Sequence, residues 1–301
     1  MNLGELLNRY KQHPRLFHLA DRLSFADTQK IFLKNLQGSS AEFVLAALFD
    51  KYQSDKENNA AAHLVVLNDA EEAAYFHNTL ENLTQALNLF YFPSSFKNKK
   101  DFRHLNSSHV MLRTEALTKL SVSPTGIIIT YPDALFEKVV LSKTLSSNII
   151  HIKTNDTLNV DSLLELFVMY GFERTDFVYE PGQFALRGGI LDIYSFGNEK
   201  PYRVELFGND VDSIRIFDPE TQLSERKLLQ VSIIPNVETQ FETGDKVSLL
   251  EFLPENTIVW LKDWDVIKEK IEVQEEDLGL FLERVKADAE HLKEESERLK
   301  R

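Results

Sequence analysis

The residues of this chain that come nearest to a nucleotide site lie in LQGSSAEF, Leu36 to Phe43, directly ahead of an apolar, helix-like run from Ala41 to Phe49. A working phosphate loop of the GxxxxGK[ST] type needs glycines for close backbone approach, a lysine for the phosphates and a hydroxyl for magnesium. Gly38 is the single glycine here, and Ala41 and Glu42 stand where the lysine and the serine or threonine belong. A carboxylate at that point repels phosphate. The segment therefore reads as the start of a structural helix, and no nucleotide or other cofactor is expected.

Other chemistries find less support. The eight histidines show neither HExxH nor paired metal-ligand spacing, and there is no cysteine, so no metal site is expected. No GxSxG elbow occurs and no pair of carboxylates is singled out, which leaves no catalytic residue to nominate. KNKKDFRH, Lys97 to His104, interleaves bases and aromatics. It has two readings, a contact to nucleic acid and a solvated loop, and the acidity of the whole chain favours the second.

The elements that would position such groups divide the chain in two. At 301 residues, 43% hydrophobic and 27% charged, it is long enough for two domains with separate cores. The net charge of -13 argues against strong DNA binding by the whole chain. No apolar stretch is long enough to span a membrane, the amino terminus is no secretory signal, and the absence of cysteine suits a cytoplasmic protein. The closing run, Gln274 to Arg301, has the alternating charges of a solvated helix and no terminator, which suggests a piece of a longer polypeptide.

Up to about Ile150, apolar strands (His63–Asn68, Leu87–Phe92, Gly126–Tyr131) alternate with helices (from Ala70, Arg113–Leu120, Pro132–Val140). That rhythm predicts an α/β domain, a parallel sheet covered on both faces. From 151 to 235 the pattern changes. Ser162 and Glu165 have capping-box spacing, and Gly171 stops a helix over Asp161–Tyr170. The strands FVYE, QFALRGGILDIYSF, YRVELF, VDSIRIF and LLQVSIIP follow without helices between them, with turns at Gly197-Asn198 and Gly208-Asn209-Asp210. This predicts a small α+β domain inserted into the first. Residues 236–301 return to the first domain with a strand, Asn256–Leu261, and the charged helix.

Within the insert, Glu180–Ser224 is the most informative stretch. The glycine-flanked arginine Arg187-Gly188-Gly189, the strand LDIY, the strand YRVELF, the pair Ile214-Arg215 and FDPETQ occur in order. Together they resemble the small domain shared by the excinuclease B subunit and the transcription-repair coupling factors. Arg113–Tyr131 resembles that family more loosely. The resemblance implies a degenerate helicase-like (RecA-like) sheet domain with the small domain inserted. Two departures point to the coupling-factor branch: the phosphate loop is degenerate, and only about 20 residues separate Phe92 from Arg113. That gap is too short for the long DNA-clamping hairpin of the excinuclease B subunit. The implied role is non-catalytic: the small domain recruits the excinuclease A subunit (UvrA), while other domains of the parent chain carry ATP-driven translocation. An excinuclease-B-type, ATP-using DNA-binding subunit is the alternative.

Strand alternation supports docking on its own terms. In YRVELF, Tyr202, Val204 and Leu206 share a core face, and Arg203, Glu205 and Phe207 share the other. Arg187 is expected on a neighbouring strand, its guanidinium left uncovered by the following glycines. The partner-binding residues nominated are Arg187, Arg203 and Phe207, because arginine forks and aromatics anchor interfaces. The other reading pairs these arginines internally with Asp192, Glu205 or Asp210; the resemblance favours docking.

Overall fold

The structure is a computed structural model describing residues 2–23, 30–54, 62–84, 88–98, 101–239 and 245–299. The chain begins with α1 (Leu3–Lys11), α2 (Pro14–Leu23) and α3 (Ser40–Ser54), then β1 (Ala62–Val66), α4 (Ala70–Leu83) and β2 (Leu89–Tyr91). A hairpin, β3 (Phe96–Asn98) and β4 (Asp101–Leu105), leads to α5 (Ser107–Val122), β5 (Gly126–Thr130), α6 (Pro132–Phe136), β6 (Val139–Val140), α7 (Ser142–Ser147) and β7 (Ile150–Lys153). After α8 (Val160–Met169) come β8 (Glu173–Arg174), β9 (Gln183–Arg187), β10 (Ile190–Ile193), β11 (Tyr202–Phe207), β12 (Asp210–Phe217) and β13 (Ser224–Leu228). The order ends with β14 (Gln230–Ile233), β15 (Lys246–Val247), α9 (Leu249–Phe252), β16 (Ile258–Leu261) and α10 (Trp264–Leu299).

Four strands form a parallel sheet in the order β16-β1-β5-β2. β1 and β5 are buried along their whole length, so their side chains alternate between two cores rather than between core and water. Leu64, Val66 and Ile128 meet Leu117 of α5 and Ile267 of α10 on one side. Val65, Ile127 and Ile129 meet Phe49 of α3 and Phe76 of α4 on the other. Asp69 starts α4 by accepting the Glu72 N–H at 2.9 Å, and Asn106 does the same for α5 from His109.

Strands β8 to β13 lie in sequence between β5 and β16, two members of the parallel sheet, and make a second sheet in the order β13-β12-β11-β10-β9-β8. All its pairs are antiparallel except β8 with β9. One face packs on α8, where Leu163 and Phe167 join Phe184, Leu191, Ile193, Tyr202, Val204 and Ile214 in a single core. The fold is thus mixed α/β, a parallel sheet with a largely antiparallel one inserted.

Several expectations need correction. The Pro132–Val140 helix stops at Phe136, and Val139-Val140 pairs with β15 as a strand. FVYE is not a strand: the pairing residues are Glu173-Arg174, upstream. QFALRGGILDIYSF is a hairpin, since Gly188 adopts φ +60° and turns the chain between β9 and β10. The cap of α8 is Asn159, accepting from Ser162 N–H at 3.1 Å, and Ser162 itself is in the first turn. Lys97–His104 is no plain loop but part of the β3–β4 hairpin, whose Phe102 packs edge-on against Phe281 of α10. Leu87, Lys99 and Lys100, which those readings include, lie outside the described residues.

Candidate functional site

The face of the six-stranded sheet turned away from α8 is where chemistry-bearing side chains gather. Register places them in two rows across the strands. In one, Arg187 of β9 stands opposite Ile190 of β10, then Glu205 of β11, then Ser213 of β12. In the other, Ala185 stands opposite Asp192, then Arg203, Arg215 and Lys227. The rows hold four cations and two carboxylates, within a chain whose net charge is -13. These two rows carry a small excess of positive charge in an acidic chain.

Asp192 organises it. Its carboxylate is fully buried and accepts Arg203 Nε at 2.7 Å, Arg203 Nη2 at 2.9 Å and Arg187 Nη2 at 2.6 Å. Arg203 also donates to the Gln222 carbonyl at 3.0 Å and lies over the Phe217 ring at 4.5 Å. Hydrogen bonding to Asp192 raises the Arg203 pKa above its already high ordinary value, so the side chain is always charged. Along the other row, Glu205 accepts the Ser213 hydroxyl at 2.6 Å and Arg215 Nη2 at 3.4 Å.

The nominated residues therefore share a face but not an environment. Phe207 is 84% exposed, two residues beyond Glu205 at the end of β11. Arg187 keeps 35% of its side chain exposed, whereas Arg203 keeps 14%. The expectation that glycines leave Arg187 uncovered is wrong, because its guanidinium is stacked 4.4 Å from the centre of the Phe177 ring. Both arginines are ion-paired within the sheet through Asp192, one of the internal partners the sequence offered. Phe177 and Phe217, which support the two guanidiniums, carried no local signal: their contacts cross between strands and an edge segment.

The segment read as a degenerate phosphate loop lies elsewhere, at the start of α3. Gly38 has φ +54°, and the Ser40 hydroxyl donates to the Gln37 carbonyl. Ala41 is half-buried and Glu42 buried, so neither is held out toward a ligand. Burial raises the Glu42 pKa, opposed by its own backbone hydrogen bond and by nearby Lys262, which is bonded to Glu72. Among the described residues, no group of three or more His, Asp or Glu could hold a metal ion. No described helix is long and apolar enough to cross a membrane.

Comparison with known proteins adds a family to this geometry. The model of the UvrB interaction domain matches residues 150–238, the segment that contains α8 and all six strands of the cationic sheet. The transcription-repair-coupling factor of Bacillus subtilis strain 168 is 30% identical over 158 residues, 52% of this chain and 13% of its own length. The chain is similar to the transcription-repair coupling factors. That of Staphylococcus haemolyticus is 27% identical over 76% of this chain and 19% of its own length. That of Borreliella burgdorferi is 35% identical over 38% of this chain and 10% of its own length. The chain thus spans less than a fifth of each of these three coupling factors.

Proposed function

We propose that this chain is a non-catalytic protein-interaction module of a transcription-repair coupling factor. Its six-stranded sheet recruits the excinuclease A subunit to damage-stalled transcription in nucleotide excision repair. The observation that carries the reading is the open sheet face: cationic within an acidic chain, with the exposed Phe207 at its end. Opposite potentials speed and orient encounter, and a desolvated aromatic or arginine supplies the affinity. Carboxylates among the cations, Asp192 buried and Glu205 part-exposed, and an exposed ring favour a protein partner over a phosphate backbone, which rewards uninterrupted positive charge. ATP-driven translocation belongs to other domains of the parent chain, against which this module also packs.

Phe207 is the clean probe, because Arg203 and, through one nitrogen, Arg187 are both tied to the buried Asp192. In calorimetric titrations with the excinuclease A subunit, Arg187→Glu and Phe207→Ala should each weaken binding about thirtyfold or more, roughly 2 kcal/mol. Phe207→Ala should melt within a few degrees of the unchanged chain, since that side chain is exposed, whereas Arg187→Glu removes a partner of the buried Asp192 and should also melt lower. Undiminished affinity in both variants, or tight DNA binding that Arg187→Glu abolishes, would overturn the reading.

A further inference from the structure

The segment between β8 and β9 presents two aromatic side chains at the edge of the cationic face. Phe177 is 46% exposed and Tyr179 55%, while Val178 between them is fully buried against Ala185, Tyr194 and Phe217. Strand pairing does not hold this segment, yet it is fixed at several points. Thr175 donates its hydroxyl to the Phe177 carbonyl at 2.9 Å. Gln183 accepts the Tyr179 N–H at 2.8 Å and the Glu180 N–H at 3.1 Å. Gln222, whose carbonyl receives Arg203, donates its amide to the Val178 carbonyl at 3.1 Å. The two rings are thus pre-positioned 6.5 Å apart, with Phe177 forming a floor beneath Arg187.

Arg187 spends one nitrogen on Asp192 and keeps further N–H donors for a partner. Going across the strands at this end of the sheet, one meets Phe177, Arg187, the partly exposed Ile190 and, at the end of β11, Phe207. A cation flanked by apolar surface matches a carboxylate flanked by apolar side chains. The flanks exclude water, which strengthens the charged bond, and an ordered aromatic costs little entropy to bury. We infer that Phe177 and Tyr179 form a second aromatic wall of the docking surface, and that the partner patch is an acidic side chain set between aliphatic ones. One such side chain packs on Phe177 and Tyr179, another on Phe207, and the carboxylate lies on Arg187. This rests on the docking function proposed above.

The test measures affinity of the full chain for the excinuclease A subunit by calorimetry, with melting temperature as a control. The variants are Phe177→Ala, Phe177→Leu, Tyr179→Ala and, as reference, Arg187→Glu. Tyr179→Ala is expected to weaken binding about tenfold with unchanged melting. Its ring neighbours Phe177 rather than stacking on Arg187, and it keeps the proposal testable if Phe177→Ala folds poorly. Phe177→Ala should lose more than tenfold, because it removes both the apolar wall and the floor of Arg187, and Phe177→Leu should recover part of that loss. If Arg187→Glu abolishes binding while Tyr179→Ala and Phe177→Leu both bind within twofold of the unchanged chain, the aromatic wall is overturned and docking stands. If the unchanged chain does not bind, or Arg187→Glu binds as well as it does, the docking reading falls and the wall with it.

Discussion

A carboxylate as fully buried as Asp192 is costly unless its charge is matched and its lone pairs are filled, and three N–H donors from Arg187 and Arg203 do both. One residue thereby fixes two cations that would otherwise repel each other and Arg215, which stands directly opposite Arg203. The sequence could show that Arg203 and Phe207 share a strand face. It could not rank the arginines, because exposure depends on which neighbour covers them, Phe177 or Phe217 with Gln222. A second buried polar residue gives a pH test of the parallel sheet. His63 on β1 is fully buried between Phe49 and Trp260, and its Nδ1 accepts the Trp260 indole N–H at 3.0 Å. Burial pushes its pKa from 6.5 down to about 4. The folded value lies below the unfolded one, so the unfolded chain binds the extra proton first. The stability due to neutral His63 is present above pH 6.5 and is lost as pH falls toward 4. Urea denaturation should show the unchanged chain losing about 2 kcal/mol more than His63→Gln between about pH 7.5 and 5. Equal losses would place the His63 titration at its ordinary position.

At the scale of elements, period and apolarity located most strands and helices, and the errors fall where a turn interrupts an apolar run. QFALRGGILDIYSF is apolar on both sides of its glycines, so composition alone does not separate one long strand from a hairpin. The backbone does, and the two glycines serve it differently. Gly188 needs φ +60° but has open space where a Cβ would go. Gly189 has no such φ, but a Cβ there would stand 2.6 Å from the Leu206 carbonyl oxygen. Its own carbonyl accepts the Leu206 N–H at 2.7 Å, which sets how β11 runs out toward Phe207. Gly188→Ala should therefore cost only about 1–2 kcal/mol, the price of a left-handed alanine, and leave partner binding nearly intact. Gly189→Ala must push β10 and β11 apart next to Phe207 and should impair both melting temperature and affinity. Chemical denaturation with parallel calorimetry checks this; equal effects of the two variants on affinity would contradict it. Capping shows the same limit on a smaller scale, since Ser162 and Asn159 both precede an apolar run and only the backbone decides which one flanks the helix.

The whole molecule sets charge against charge: a chain of net -13 with four cations, Arg187, Arg203, Arg215 and Lys227, gathered on the open face of one sheet. The alternation of strands and helices made the parallel sheet and its insertion legible, because each sheet encloses its own core and imposes its own period. The two rows of charged side chains were not legible, because they arise from register between strands distant in sequence. Its consequence for nucleic acid can be argued from magnitudes. A protein gains DNA affinity by releasing counterions, one for each phosphate it neutralises. Along the two rows Asp192 and Glu205 already engage Arg187, Arg203 and Arg215, so few cations are available to phosphates. The β3–β4 hairpin adds Lys97 and His104, and at about Debye-length range the acidic remainder opposes approach. DNA binding by this chain should therefore be weak, with dissociation constants of about 10 μM or more at 150 mM salt, weakening further as salt is raised. Fluorescence anisotropy with a labelled duplex across a salt series tests it. The same series with the excinuclease A subunit should show a shallower slope, because aromatic burial at Phe207 is not screened by salt. A tight DNA complex that survives moderate salt would mean that the cationic face reads phosphate rather than protein.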